Sequence, residues 1–148
     1  QLISDEIIFG EIAQRKVVVQ NVNTEKNILN FIGLDYDQGY CKYDKALEKV
    51  KQGDILLVRI KETEMKGRYT MLSAKILNEK YLEGILKHFA GEIIKPVNKA
   101  FGFVDGMYIT PDVCAKYNLQ DGEYVTGKAM TAYNKKKEEW GWKVISID

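Results

Sequence analysis

Apolar and polar side chains alternate along most of this chain, in runs rich in β-branched and aromatic residues. The runs are 17–22, 28–32, 55–60 and 68–77, then 92–97, 101–104, 107–109, 124–130 and 142–147. A period of two over such short stretches, broken by Gly, Asn and Asp, predicts strands with one face buried. A helical period stands out near the middle, where Tyr81, Leu82, Ile85, Leu86 and Phe89 recur at i, i+1, i+4, i+5 and i+8. The expected organisation is all-β: a small barrel over residues 1–78, a short helical connector over 79–88, and a second barrel over 89–148.

The two halves overlay on each other. Val22-Asn23 matches Val97-Asn98, Ile28–Ile32 matches Ala100–Val104, Tyr40 matches Tyr108, and Gln52-Gly53-Asp54 matches Asp121-Gly122-Glu123. The offset drifts by only a few residues, as in a duplicated unit with loops of different length. A half of about 70 residues buries a limited core by itself.

The second half holds the most informative run. In Lys99-Ala100-Phe101-Gly102-Phe103-Val104, strand geometry puts Phe101 and Phe103 on one face, and Gly102 and Val104 on the other. In Met107-Tyr108-Ile109, Tyr108 joins the two rings while Met107 and Ile109 point into the barrel. With the inner face already filled, three aromatics are directed outward, and base stacking is the chemistry that needs them there. Trp140 and Trp142 enlarge the set, and Lys95, Lys99, Lys128 and Lys143 lie along the same strands. Rings can take base faces while ammonium groups follow phosphates. In the first half, Leu29 falls at the place of Phe101, and only Phe31 and Tyr40 keep rings. With Lys26 and Lys42 beside them, those rings predict a weaker second surface.

Composition narrows the alternatives. The 148 residues carry 22 basic and 21 acidic side chains, a formal net charge of +1, so no global field draws the chain to nucleic acid or an anionic membrane. From residue 88 onward, 8 Lys face 8 acidic residues, and any basic groove must come from segregation on the surface. The longest aliphatic run, Ile55 to Val58, is far too short for a transmembrane helix. Two distant cysteines, Cys41 and Cys114, and one histidine, His88, make no zinc set and no Cys-His or Ser-His-Asp arrangement of the usual kind. They read as reduced thiols in a cytoplasmic protein. Gly122–Lys128 satisfies G-x-x-x-x-G-K, but Ala129 offers magnesium no hydroxyl and the intervening residues favour a strand. Asp35-Tyr36-Asp37-Gln38-Gly39 lacks the glycine and glutamate positions of a calcium loop. No catalytic residue, metal or cofactor is expected. The chain opens on Gln1, and is expected to be a piece of a longer protein.

Gly91–Ile94, Lys99–Val104 and Met107–Thr110 together resemble the cold-shock domain, a five-stranded OB-fold barrel with stacking aromatics on two strands. The stretch from Tyr108 through Pro111 to Tyr117–Lys128 is similar to the RNA-binding domain of the transcription terminator Rho, so the resemblance covers residues 89 to 148. It implies two tandem OB-fold barrels that bind single-stranded RNA or DNA. Phe101, Phe103 and Tyr108 would stack, Lys99 would contact the backbone, and Trp140 or Trp142 would supply an aromatic from the last strand. The chain departs from the pattern at Lys95-Pro96-Val97, where cold-shock proteins carry aromatics, and at Gly106, where the terminator has an acidic base-reading residue. Two other readings fit the same barrels: a protein-docking module, or the binding domains of a nuclease or helicase whose catalytic part lies elsewhere.

Overall fold

The computed structural model describes residues 12–148, so the first eleven positions of the predicted N-terminal domain lie outside the described residues. The chain divides into two compact units between Glu79 and Lys80. Each unit is a closed five-stranded barrel. The first comprises β1 (Ile12–Asn23), β2 (Ile28–Gly33), β3 (Gln38–Lys42), β4 (Ile55–Glu62) and β5 (Arg68–Ile76). The second comprises β6 (Leu86–Ile94), β7 (Gly102–Val104), β8 (Met107–Ile109), β9 (Tyr124–Asn134) and β10 (Glu139–Ile147), with one short helix, α1 (Pro111–Lys116), between β8 and β9. Thr110 caps that helix by accepting a hydrogen bond from the Val113 N–H, and Pro111 opens it.

Strand order is the same in both barrels. Around the first it runs β1-β2-β3-β5-β4, and around the second β6-β7-β8-β10-β9. A matching turn locks each barrel. Gly53 N–H donates to Val19 O (2.9 Å) while Val19 N–H donates to Asp54 O (2.9 Å). Gly122 N–H and Ile93 N–H repeat the exchange with Ile93 O (2.8 Å) and Glu123 O (2.7 Å). Both glycines have positive φ, 90° and 86°, a conformation that side chains resist. Gly122 thus makes a turn, and the residues after it enter β9, so the G-x-x-x-x-G-K match forms no phosphate loop.

The cores follow strand alternation. Val17, Val19, Leu29, Phe31, Cys41, Leu56, Val58 and Ile60 converge in the first barrel, and Phe89, Ile93, Val104, Met107, Ile109, Val125, Ala129 and Val144 in the second. Inward residues that face each other across strands share the volume unequally. Phe31 lies opposite Gly39, and Leu29 opposite Cys41. Their counterparts are Val104 opposite Met107, and Gly102 opposite Ile109. A Cβ on Gly39 would stand 2.8 Å from Phe31 Cζ and 2.6 Å from the Tyr69 ring, so the glycine is what admits the phenylalanine.

Two expectations change. Residues 79–88 contain no helix. Leu82 and Leu86 form an isolated bridge around a turn, with Ile85 and Leu86 N–H both donating to Leu82 O (2.9 Å each), and Gly84 at φ +81° turns the chain. β6 then begins at Leu86. The helical spacing arises because the turn buries Ile85 and Leu86 just before Phe89 opens the inward series of a strand. Phe31 also changes place: it is 1% exposed and lies in the core.

Burial pushes the Cys41 thiol up to about 11. Cys114 is raised too, chiefly by burial and partly offset by Lys95. Burial disfavours the thiolate, so both groups stay protonated at neutral pH. Iodoacetamide at pH 8 should therefore leave both thiols unmodified in the native protein and alkylate both in denaturant, as read by intact mass; native labelling would contradict a closed core. Phe31→Ala should lower unfolding free energy by about 3–5 kcal/mol in a denaturant melt.

Candidate nucleic-acid interface

β7 and β8 are short, and their pairing arranges the rings. Gly102, Val104, Met107 and Ile109 are buried, which turns Phe103 and Tyr108 to the outer face. The two rings are directly opposite in register. Phe101, just before β7, completes a cluster: ring centroids lie 5.7 Å apart for Phe101–Phe103, 5.8 Å for Phe101–Tyr108 and 6.0 Å for Phe103–Tyr108. Mixed tilted and edge-to-face geometry holds the rings against one another and leaves the cluster half open to solvent, with Tyr108 at 40% exposure.

The register continues on both sides of this cluster. Ile94 on β6, 57% exposed, faces Phe103, and Lys143 on β10 faces Tyr108. Four strands thus present one outward row, Ile94–Phe103–Tyr108–Lys143. Lys99 is exposed in the turn leading to Phe101, where its N–H donates to Pro96 O (3.1 Å). These residues form a contiguous apolar surface edged by cations.

The other predicted residues lie elsewhere. Lys95 is half-buried: its ammonium donates to Leu119 O (3.3 Å), its N–H donates to Asp121 Oδ1 (2.8 Å), and its stem packs where a Gly102 side chain would go. Lys128 sits on β9 opposite His88, separated from β8 by β10. Trp142 packs half-buried against the barrel core, with Lys87 Nζ 4.2 Å over its ring. Trp140 pairs with Tyr133 (5.5 Å between centroids) near the β9–β10 turn. Both tryptophans share the inward parity of Val144, opposite in phase to Lys143. Sequence reading missed Ile94, whose signal was an apolar residue in outward phase on a strand, and Tyr133, which shares the face of Trp140 across β9 and β10.

In the first barrel, the row at the same topological positions is Asn21–Asn30–Tyr40–Arg68. Tyr40 matches Tyr108, but Asn30 stands at the position of Phe103, so the offset there is 103 minus 30, or 73, one more than the sequence overlay used. A one-residue slip exchanges the faces of a strand, which is why Phe31, matched to Phe103 by sequence, is a core residue. Lys42 is exposed on β3 opposite Ile28, and Lys26 is exposed in the β1–β2 turn, its N–H bonded to Asn23 Oδ1 (3.1 Å). At the other end of the β2–β3 hairpin, Arg15 is ion-paired with Asp37 and lies 5.9 Å from the Tyr69 ring centroid. Burial first, then Asp37 and Glu62, raise the Tyr69 hydroxyl against the opposing pull of Arg15. Among the described residues, no cluster of His, Cys, Asp and Glu could hold a metal ion.

Comparison with known proteins agrees with this architecture. Residues 9–72 match the family model for S1/CSD-like domain 1 of the TOTE conflict systems, and residues 87–147 match S1/CSD-like domain 2 of the same systems. No curated protein matches the chain. Among solved structures, yeast Ssd1, a pseudonuclease, is matched at 12% identity with a TM-score of 0.31, over 98% of this chain and 24% of that one. The chain thus spans about a quarter of that protein's length. S1/CSD-like barrels are generally nucleic-acid-binding modules of the OB type, and this chain belongs to that family as a tandem pair of its domains.

Proposed function

We propose that the chain binds single-stranded nucleic acid, RNA above all, as a non-catalytic module of a longer cytoplasmic protein. The C-terminal barrel makes the principal contact. The observation that carries this reading is the half-open cluster of Phe101, Phe103 and Tyr108, with centroids 5.7–6.0 Å apart on the outer face of β7 and β8. Each base stacked on such a ring contributes about 1–3 kcal/mol, with little regard for base identity. Lys143, beside Tyr108, and Lys99, before Phe101, are placed to neutralise phosphates on either side of the stacked bases. The similarity of residues 89–148 to the RNA-binding domain of terminator Rho supports RNA over DNA.

The near-neutral charge favours a surface on which stacking outweighs long-range attraction. Salt dependence should therefore be moderate, reflecting about two neutralised phosphates rather than a broad basic groove.

Fluorescence anisotropy with labelled single strands of about 12 nucleotides, at two salt concentrations and with duplex as control, tests the proposal. Salt-sensitive binding to single strands and none to duplex is expected. Absence of binding by folded protein would transfer the assignment to a protein-docking module. Phe101→Ala with Tyr108→Ala should weaken binding at least about tenfold, since two stacking contacts are lost, and leave Tm almost unchanged. Trp142→Ala should do the reverse, lowering stability through its core contacts while leaving affinity for RNA within about twofold.

A further inference from the structure

The first barrel carries a different chemistry at the positions that hold rings in the second. Cross-strand register aligns Asn21 with Asn30, Asn30 with Tyr40, and Tyr40 with Arg68. The matching row in the other barrel is Ile94, Phe103, Tyr108 and Lys143. Two apolar positions have become carboxamides, the tyrosine is kept, and the cation is kept as arginine. Asn21, Asn30 and Arg68 are exposed. The inward neighbours Val19, Leu29, Phe31 and Cys41 belong to the core, so alternation directs the asparagines outward.

Asparagine is disfavoured within strands, and here two stand directly opposite each other, two pairs before the β1–β2 turn. No hydrogen bond engages either side chain among the described residues, and Arg68 has no ion pair among them. The β1 bulge between Val19 and Asn21 restores the phase that brings Asn21 to the outer face beside Asn30. Tyr40 is positioned by its hydroxyl, which donates to Met65 Sδ (3.1 Å). The row therefore offers two carboxamides, each with a donor and an acceptor in one plane, then a ring, then a planar cation. That combination matches the edge of an unpaired base, the face of its neighbour and a phosphate.

We propose that the N-terminal barrel reads base identity in a single-stranded RNA through Asn21 and Asn30, with Tyr40 stacking one base and Arg68 holding phosphate. This rests on the nucleic-acid reading above and extends it: the C-terminal rings hold any strand, and the N-terminal amides choose among strands.

The test titrates the whole chain with labelled A, C and U homopolymer RNAs of about 12 nucleotides. Wild-type affinities should spread over at least about fivefold across the three, the scale of one or two net hydrogen bonds. Asn21→Ala with Asn30→Ala should compress that spread to about twofold or less and change the mean affinity by less than about threefold. Asn21→Thr with Asn30→Thr, which favours the strand, should do the same and is read instead if the alanine variant does not fold. A wild type that binds all three equally, or a spread that persists in the folded variant, overturns the proposal while leaving the C-terminal platform standing. A wild type that binds none of them removes both readings together.

Discussion

Each barrel depends on one very short parallel contact. β3 meets β5 through Tyr40 opposite Arg68 and Cys41 opposite Tyr69, and β8 meets β10 through Lys143 opposite Tyr108. Among the described residues, all other strand pairs are antiparallel. A parallel pair cannot be made by a tight turn, so the chain must travel out and back before the barrel can shut. In doing so it sets a tyrosine from the third strand beside a cation from the last. The proposed sites are therefore built from the closure itself, and a sequence that could not close would have neither core nor binding face.

This dependence explains which features could be read directly from sequence. Strand alternation in the second barrel was legible because small and aliphatic residues, Gly102, Val104, Met107 and Ile109, mark one face without ambiguity, leaving the rings only one place to go. The two-barrel division was legible for the same reason. In the first barrel the overlay placed Phe31 with Phe103, yet the register puts Asn30 there. Both frames yield a plausible strand, and only the partner decides: Gly39, opposite Phe31, has no side chain to compete for the interior. That information lies in a residue eight positions away, across a loop. The false helix near residue 85 has another origin. Periodicity counts apolar residues without distinguishing a helix turn from a bridged turn, and Leu82, Ile85 and Leu86 satisfy either. Trp140 and Trp142 were read as extending the platform because their spacing resembled that of Phe101 and Phe103, but their phase against Val144 directs them the other way.

The two barrels share a framework while their outer faces diverge. Between them, the tyrosine and the basic group persist, and the positions that vary, Asn21 and Asn30 against Ile94 and Phe103, alter the character of the row from amide to apolar. Stacking is indifferent to the base and hydrogen bonding is not, so under the proposed reading one framework would supply grip in one barrel and choice in the other. A net charge of +1 is compatible with this arrangement, because neither contact needs a broad positive field.

The unequal division of interior volume has a consequence for how the two barrels could exchange parts. Phe31 with Gly39 and Val104 with Met107 are each a large and a small partner, arranged in opposite order. If β7 replaced β2 alone, Val104 would face Gly39 and leave a void; the converse graft would force Phe31 against Met107. Each interior is thus a two-strand unit of inheritance, in which neither hairpin arm can be recombined without its mate, while the outward residues on the same strands remain free to change one at a time.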